Sequence, residues 1–224
     1  PIPGLEEIGY ITSDEALEIR KCPKSMLVLG GGAVATELGQ FFCRLGVRIT
    51  LIQRSEHLFS DCDKDMSHPV ETCFRNEGMK VHTSTDLTRF TKKNGLITAH
   101  FLQNGKRRKA SAEVVFQALG RVPNLKGLQL EKAGIETKGK RILVDDQMRT
   151  TAKHIFAAGD VVGLYEIVHI AIHQGETAGH NAVRGSRKRC IDYRLQASVI
   201  FTDPQVASVG LTEKKCKENT IDYL

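Results

Sequence analysis

The stretch Ser25–Arg54, SMLVLGGGAVATELGQFFCRLGVRITLIQR, limits the possible folds more than any other part of the chain. Met26 to Leu29 is a short apolar run of the kind a buried parallel strand requires. Gly30, Gly31 and Gly32 follow at once. A helix is then expected to about Leu45, with Val34, Leu38, Phe41, Phe42 and Leu45 on one face. Gly46 ends it, and Val47 to Ile52 forms a second strand. Strand, glycine turn, helix, strand is the βαβ dinucleotide-binding unit, with its fingerprint filled as Gly30-x-Gly32-x-x-Ala35. Gly30 permits the tight turn. Gly32 lets a pyrophosphate approach the backbone, and Ala35 lets the helix pack close to the strand. The phosphates then face the free N–H groups and the positive dipole end of the helix.

The end of the second strand selects the cofactor. A carboxylate there would bind the ribose 2′-hydroxyl of NAD; this chain has Gln53 and then Arg54. Arg54 can bind a 2′-phosphate, which favours NADP(H), while Gln53 can still bond a ribose hydroxyl of NAD.

At 224 residues the chain can hold one large or two small domains. No apolar run reaches the length of a membrane span, and the start, PIPGLEEIG, lacks signal-peptide character. A cytoplasmic protein with no membrane partner is expected. The net charge of +6 is concentrated at Lys106–Lys109 and Arg187–Arg189, but no aromatic residue lies in either patch. That argues against nucleic acid and for solvated loops, and a phosphate-rich cofactor suits a basic protein. Cys22, Cys43, Cys62, Cys73, Cys190 and Cys216 offer no C-x-x-C and no zinc spacing, so no metal site and reduced thiols are expected.

In chain order, PIPG is a turn-rich start. Ile11 begins a strand that leads into a short helix through Ile19, capped by Ser13 or Asp14. After Arg54 a helix spans about Asp65 to Glu77. Pro69 is tolerable within it if the regular helix starts near Ser67. Val81, Asp86–Thr91, Leu96–Leu102 and Lys106 onwards read as strands, and Asn94-Gly95 and Asn104-Gly105 between them are hairpin signals. An antiparallel meander is thus inserted into a parallel unit. Ala112–Leu119 returns as an apolar strand, ending at Gly120. His154–Asp160 reads as a strand into a Gly-Asp turn, Ile167–Val183 as a helix and Gly185–Arg189 as a linker. Two short strands flank Asp203-Pro204, and a helix begins near Thr212. The core is too small for a further domain after Ser198, and the chain reads as the central portion of a longer protein.

The order of motifs GGGAVATE (Gly30–Glu37), ALGRVPN (Ala118–Asn124), MRTTAKHIFAAGD (Met148–Asp160), EIVHIA (Glu166–Ala171) and FTDPQVASVG (Phe201–Gly210) resembles the flavoprotein pyridine nucleotide-disulfide oxidoreductases. That family includes dihydrolipoamide dehydrogenase, glutathione reductase and mercuric reductase. The run ELGQFFCRLG with Gln53–Ser55 is most similar to the NADPH-using mercuric-reductase branch. The resemblance implies an α/β fold: a Rossmann-like NAD(P)-binding domain of parallel sheet plus β-meander, with partial FAD-domain and partial dimerisation-domain segments. Residues 1–21 would lead in from the FAD domain and 22–145 bind NAD(P). Residues 146–186 would return to the FAD domain, and 187–224 begin the dimerisation domain of a homodimer.

The resemblance also implies site roles. Gly30, Gly31, Gly32, Ala33, Val34, Ala35, Glu37 and Gly120 would hold the nicotinamide cofactor, with Leu87 near its adenosine half. Glu37, the one catalytic candidate, would pair with a lysine near the flavin and position the nicotinamide. Alanine at Ala33, where relatives carry a bulky gate, implies an open nicotinamide site or a gate supplied by another residue. Asp160 would bond the FAD ribityl chain, and Ile167, Val168 and His169 would line the flavin. The family's redox cysteine pair, spaced Cys-x-x-x-x-Cys, and its His-Glu acid/base pair have no counterpart in these residues. The intact protein would pass a hydride from NAD(P)H to FAD and electrons on to a disulfide or related acceptor, and this chain alone would be inactive. The alternative is a non-catalytic dinucleotide-binding module that senses redox state. A flavin-free short-chain dehydrogenase is excluded: the residues four places after Tyr10, Tyr165 and Tyr193 are Asp14, His169 and Ala197, not lysine.

Overall fold

A computed structural model describes residues 2–183 and 187–223. The chain falls into two compact units, Pro1–Gly120 with Val199–Leu224, and Arg121–Ser198.

In the first unit the elements are α1 (Leu5–Ile8), α2 (Ser13–Leu17), β1 (Ser25–Leu29), α3 (Ala33–Arg44), β2 (Arg48–Ile52), α4 (Lys64–Asn76), β3 (Lys80–His82), β4 (Thr85–Lys93), β5 (Leu96–Gln103), β6 (Lys106–Ala112) and β7 (Val114–Gln117). A parallel sheet runs in the order β3-β2-β1-β7. Successive residues of β1 point to opposite faces. Met26 and Val28 enter a core with Ala35 and Phe42 of α3 and Val70 and Phe74 of α4. Leu27 and Leu29 enter a second core with Phe90, Ile97, Ala99 and Phe101 of the antiparallel meander β4-β5-β6. All four β1 side chains are fully buried. Each contributes about 1.5–3 kcal/mol, enough to offset the ~1–2 kcal/mol of ordering one residue's backbone. Both meander turns use Asn-Gly with positive φ, 51° and 77° at Asn94-Gly95 and 49° and 75° at Asn104-Gly105. That conformation matches the strand twist.

The second unit has β8 (Thr137–Lys138), β9 (Arg141–Ile142) and α5 (Val168–Val183). Its core joins Met148, Ala178 and Ile191, with Val144, Phe156, Ala158 and Tyr193 packed on them. Two buried amides of α5 organise the loops. Gln174 accepts from the Gly159 N–H at 2.7 Å and donates to the Tyr193 hydroxyl at 2.9 Å. Asn181 donates to the carbonyls of Gln147 and Arg189 and accepts from the Arg189 N–H. Beyond it, β10 (Ala197–Ile200) pairs with β11 (Val206–Val209), and α6 (Glu213–Glu218) is capped by the Thr212 hydroxyl, which accepts from the Lys215 N–H.

Several expectations need correction. The buried stripe of α3 is Ala35, Thr36, Gly39, Gln40 and Phe42, while Phe41 and Leu45 are about half exposed (52 % and 53 %). Thr36 can be buried because its hydroxyl donates to the carbonyls of Gly32 and Ala33. Helix α4 starts at Lys64, after the N-cap Asp63, so Pro69 lies inside it. The early turns are held from outside, the Ser67 hydroxyl donating to the Leu58 carbonyl and Glu71 accepting the Leu58 N–H at 3.1 Å. Those contacts offset the one backbone bond the proline removes. The cap of α2 is Thr12, in a capping box with Glu15. Ile11 makes only an isolated parallel bridge to Phe116. His154–Asp160 is likewise no strand: Phe156 bridges Arg149, and Gly159–Val162 is a 3-10 turn. Gly185 and Ser186 of the expected linker lie outside the described residues. All six thiols are free. Among the described residues no helix is long and apolar enough to cross a membrane, and no cluster of ligands could hold a metal.

Candidate functional site

The sheet of the first unit reverses its order of connection at β1: β2 and β3 lie on one side, β7 on the other. Ligands of open parallel sheets bind at the carboxyl ends of the strands beside such a switch point. The glycine run sits there. Gly30, at φ 115°, bends the chain out of β1 against the end of β7, and a Cβ on it would run into the Ala118 carbonyl. Gly31 is buried under Gln53. Gly32 caps α3, is exposed, and has nothing within 4 Å of where its Cβ would stand. The helix therefore opens on bare main chain with empty space in front, the surface a diphosphate needs to reach the first amides. Ala33 and Val34 are half-buried in the first turn, and Ala35 is fully buried against the sheet. Gly120, at φ 121°, is exposed three residues past β7.

At the end of β2, Arg54 is exposed and Gln53 half-buried. The Gln53 Oε1 accepts from the Arg54 N–H at 3.2 Å, so the amide folds back on its own turn. Leu87 packs into the second core, beside a β-bulge at Thr88.

Glu37 is half-buried one turn into α3, and its carboxylate accepts from the Phe201 N–H at 2.8 Å. Two residues that the sequence reading did not single out continue this contact along the helix. Gln40 donates to the Asp203 carbonyl and accepts from the Asp203 N–H, both at 2.8 Å. Arg44 bridges the Asp203 and Glu77 carboxylates. The available signal was spacing: 37, 40 and 44 share one helix face, and Gln40 is a polar interruption of an apolar stripe. Burial pushes the Glu77 carboxyl up, but hydrogen bonds from Arg44 and Gln40 outweigh it, and the net pKa is lowered. Burial, then the Glu77 charge, pushes the Cys43 and Cys73 thiols up, so both stay protonated.

In the second unit Asp160 is exposed in the 3-10 turn that Gln174 fixes through Gly159. Ile167 is half-buried, Val168 is 77 % exposed at the start of α5, and the His169 Nε2 lies 2.9 Å from the Ala197 carbonyl oxygen.

A glycine-opened helix at the switch point of a parallel sheet with an inserted meander is a Rossmann-like α/β arrangement. The sequence matches the pyridine nucleotide-disulphide oxidoreductase family over residues 1–175, and the chain belongs to that family of redox flavoproteins. It is 38 % identical over 223 residues to a mercuric reductase of Staphylococcus aureus, covering 99 % of this chain and 40 % of that protein. It is 33 % identical over 225 residues to a dihydrolipoyl dehydrogenase of Mycobacterium tuberculosis, covering 100 % and 48 %. The HOCl-induced flavoprotein disulfide reductase RclA of Escherichia coli, solved as a Cu(II) complex, superposes with a TM-score of 0.87 at 25 % identity over 98 % of this chain and 49 % of that one. LpdA of Mycobacterium tuberculosis gives 0.83 at 26 % identity over 94 % and 45 %. The chain thus spans about half or less of each relative's length.

Proposed function

We propose that this chain is the NAD(P)H-binding portion of an FAD-dependent pyridine nucleotide-disulfide oxidoreductase. Residues 22–145 form its nucleotide-binding domain, residues 1–21 and 146–186 pieces of its FAD domain, and residues 187–224 the start of a dimerisation domain. One observation carries the reading: the exposed, uncluttered Gly32 at the start of α3, at the switch point of the sheet. When bound, the pyridine nucleotide supplies a hydride and FAD takes up its electron pair for a disulfide or related acceptor of the intact protein.

The residues present fit these groups. The main chain at Gly31–Ala35 offers amides and the helix dipole to a diphosphate, which costs no side-chain entropy. Arg54 is free to meet a 2′-phosphate, and with the Gln53 carbonyl turned back on its own backbone, NADP is favoured over NAD. Glu37 directs a carboxylate at the nicotinamide end, held by the Phe201 N–H. Asp160 offers an acceptor to a ribityl hydroxyl, and exposed Val168 beside His169 offers a flat apolar edge to a flavin. The test is a titration of the chain with NADPH followed by amide NMR signals. Gly30 to Glu37 shift if the reading holds; no shift at millimolar cofactor overturns it.

A further inference from the structure

Helix α3 carries a second set of contacts that nucleotide binding does not explain. Its residues 37, 40 and 44 all hold one segment, Phe201–Asp203, which lies more than 150 residues away in the chain. Gln40 is the centre of this grip. It is 4 % exposed and pairs both main-chain groups of Asp203, as a neighbouring strand residue would. A shift of this buried amide would break both bonds to Asp203, and its Nε2 is held from the other side by the Glu77 carboxylate, to which it also donates. One turn earlier, Glu37 takes the Phe201 N–H on one carboxylate oxygen, Oε1. That donor lies two residues before the Asp203 main chain that Gln40 holds, and directly after β10.

We propose that Gln40 is a positioning residue: by gripping the Asp203 main chain it places the Phe201 N–H, and through it aims the Glu37 carboxylate at the nicotinamide end of the bound cofactor. The proposal rests on the reading of the chain as a pyridine-nucleotide-binding portion. It assigns Gln40 no contact with the cofactor. Arg44 and Glu77 back the grip from outside, tying the Asp203 side chain to the two helices α3 and α4.

The test compares NADPH with 2′,5′-ADP, which has the adenosine half and the 2′-phosphate but no nicotinamide. In the unaltered chain both ligands shift the amides of Gly30–Ala35, but only NADPH shifts those of Phe201 and Asp203. If both ligands move Phe201 equally, or neither does, the proposal fails. If neither ligand shifts Gly30–Ala35, the nucleotide-binding reading itself fails, which is a different result. In Gln40→Met, saturation transfer from protein to the nicotinamide protons is lost while transfer to the adenine protons and affinity for 2′,5′-ADP are kept. Retention of the nicotinamide signals in a folded variant overturns the proposal. Should Gln40→Met not fold, the two-ligand comparison on the unaltered chain decides alone.

Discussion

Gly31 and Gln53 are packed so closely that a Cβ on Gly31 would stand 2.9 Å from both Cγ and Cδ of Gln53, and 3.0 Å from Cδ2 of the fully buried Leu58. The side chain at the end of β2 thus lies across the middle glycine of the run. At its neighbour Gly32, nothing lies within 4 Å of where a Cβ would stand. The two glycines therefore serve different purposes, and alanine at each separates them. Gly31→Ala costs about 1–3 kcal/mol of stability by overpacking, part of which returns in the double variant with Gln53→Ala. Gly32→Ala leaves the denaturation midpoint unchanged but blocks the diphosphate, so NADPH binding is lost in a protein that unfolds like the parent. Denaturant melts and a calorimetric titration read both.

Arg54 makes the specificity prediction. It is exposed beside the switch-point turn, and a guanidinium binding a 2′-phosphate makes a charge-assisted bond. Arg54→Glu removes it and adds repulsion. Affinity for NADPH falls by about tenfold or more, the factor matching a bond worth about 1.5–3 kcal/mol, while affinity for NADH holds or improves. Equal losses for the two cofactors would show that Arg54 does not read the 2′ position. Raising the salt concentration narrows the difference, since the group is solvent-exposed.

The Arg44–Glu77–Gln40 network gives an acid-stability prediction. The folded pKa of Glu77 is lowered because the hydrogen bonds from Arg44 and Gln40 outweigh its burial. A carboxylate held below its unfolded value stabilises the fold above the unfolded pKa, and that stabilisation is lost as pH falls through the folded one. In Arg44→Met the Glu77 carboxyl keeps its burial and loses its main partner, so its pKa rises and the acid-unfolding midpoint moves to higher pH. A circular-dichroism acid titration of parent and variant measures it. An unchanged midpoint would mean the network contributes nothing at low pH.

What the sequence disclosed and what it withheld divide along contact range. The strand-turn-helix-strand of Ser25–Ile52, the two Asn-Gly hairpins and the helix beginning near Thr212 are decided by neighbours within a few residues, and they fold as read. The phase of α3 was misjudged because an apolar count favours Phe41 and Leu45 for the core over Gln40. Gln40 can be buried because partners distant in the chain satisfy its amide: both main-chain groups of Asp203, 163 residues away, and the Glu77 carboxylate. The same holds for Pro69, whose helix is secured by Ser67 and Glu71 reaching back to Leu58. The glycine turn between β1 and α3 was legible, since its geometry is local. The partner of Glu37 was not, because Phe201 joins it only in the folded unit.

The outer face of the meander holds an arrangement that should show itself in pH dependence. The strand registers place Arg89, His100 and Lys109 in one cross-strand row, Arg89 opposite His100 and His100 opposite Lys109. Like charges directly opposite one another are destabilising on a sheet. The His100 pKa is accordingly lowered, by burial first and then by Arg89 and Lys109. The hydroxyl of Thr91, 3.2 Å from Nε2, is the neutral group facing the ring. A histidine whose folded pKa lies below its unfolded value protonates more readily in the unfolded chain. It leaves stability untouched above the unfolded pKa and lowers it progressively as pH falls from there through the folded pKa. Lys109→Gln removes one of the two opposing charges, so the His100 titration seen by NMR moves up and the loss of stability on acidification becomes shallower. His100→Gln abolishes that part of the pH dependence altogether. If His100 titrates identically in parent and Lys109→Gln, the row exerts no field on the ring, and the registers carry no electrostatic consequence.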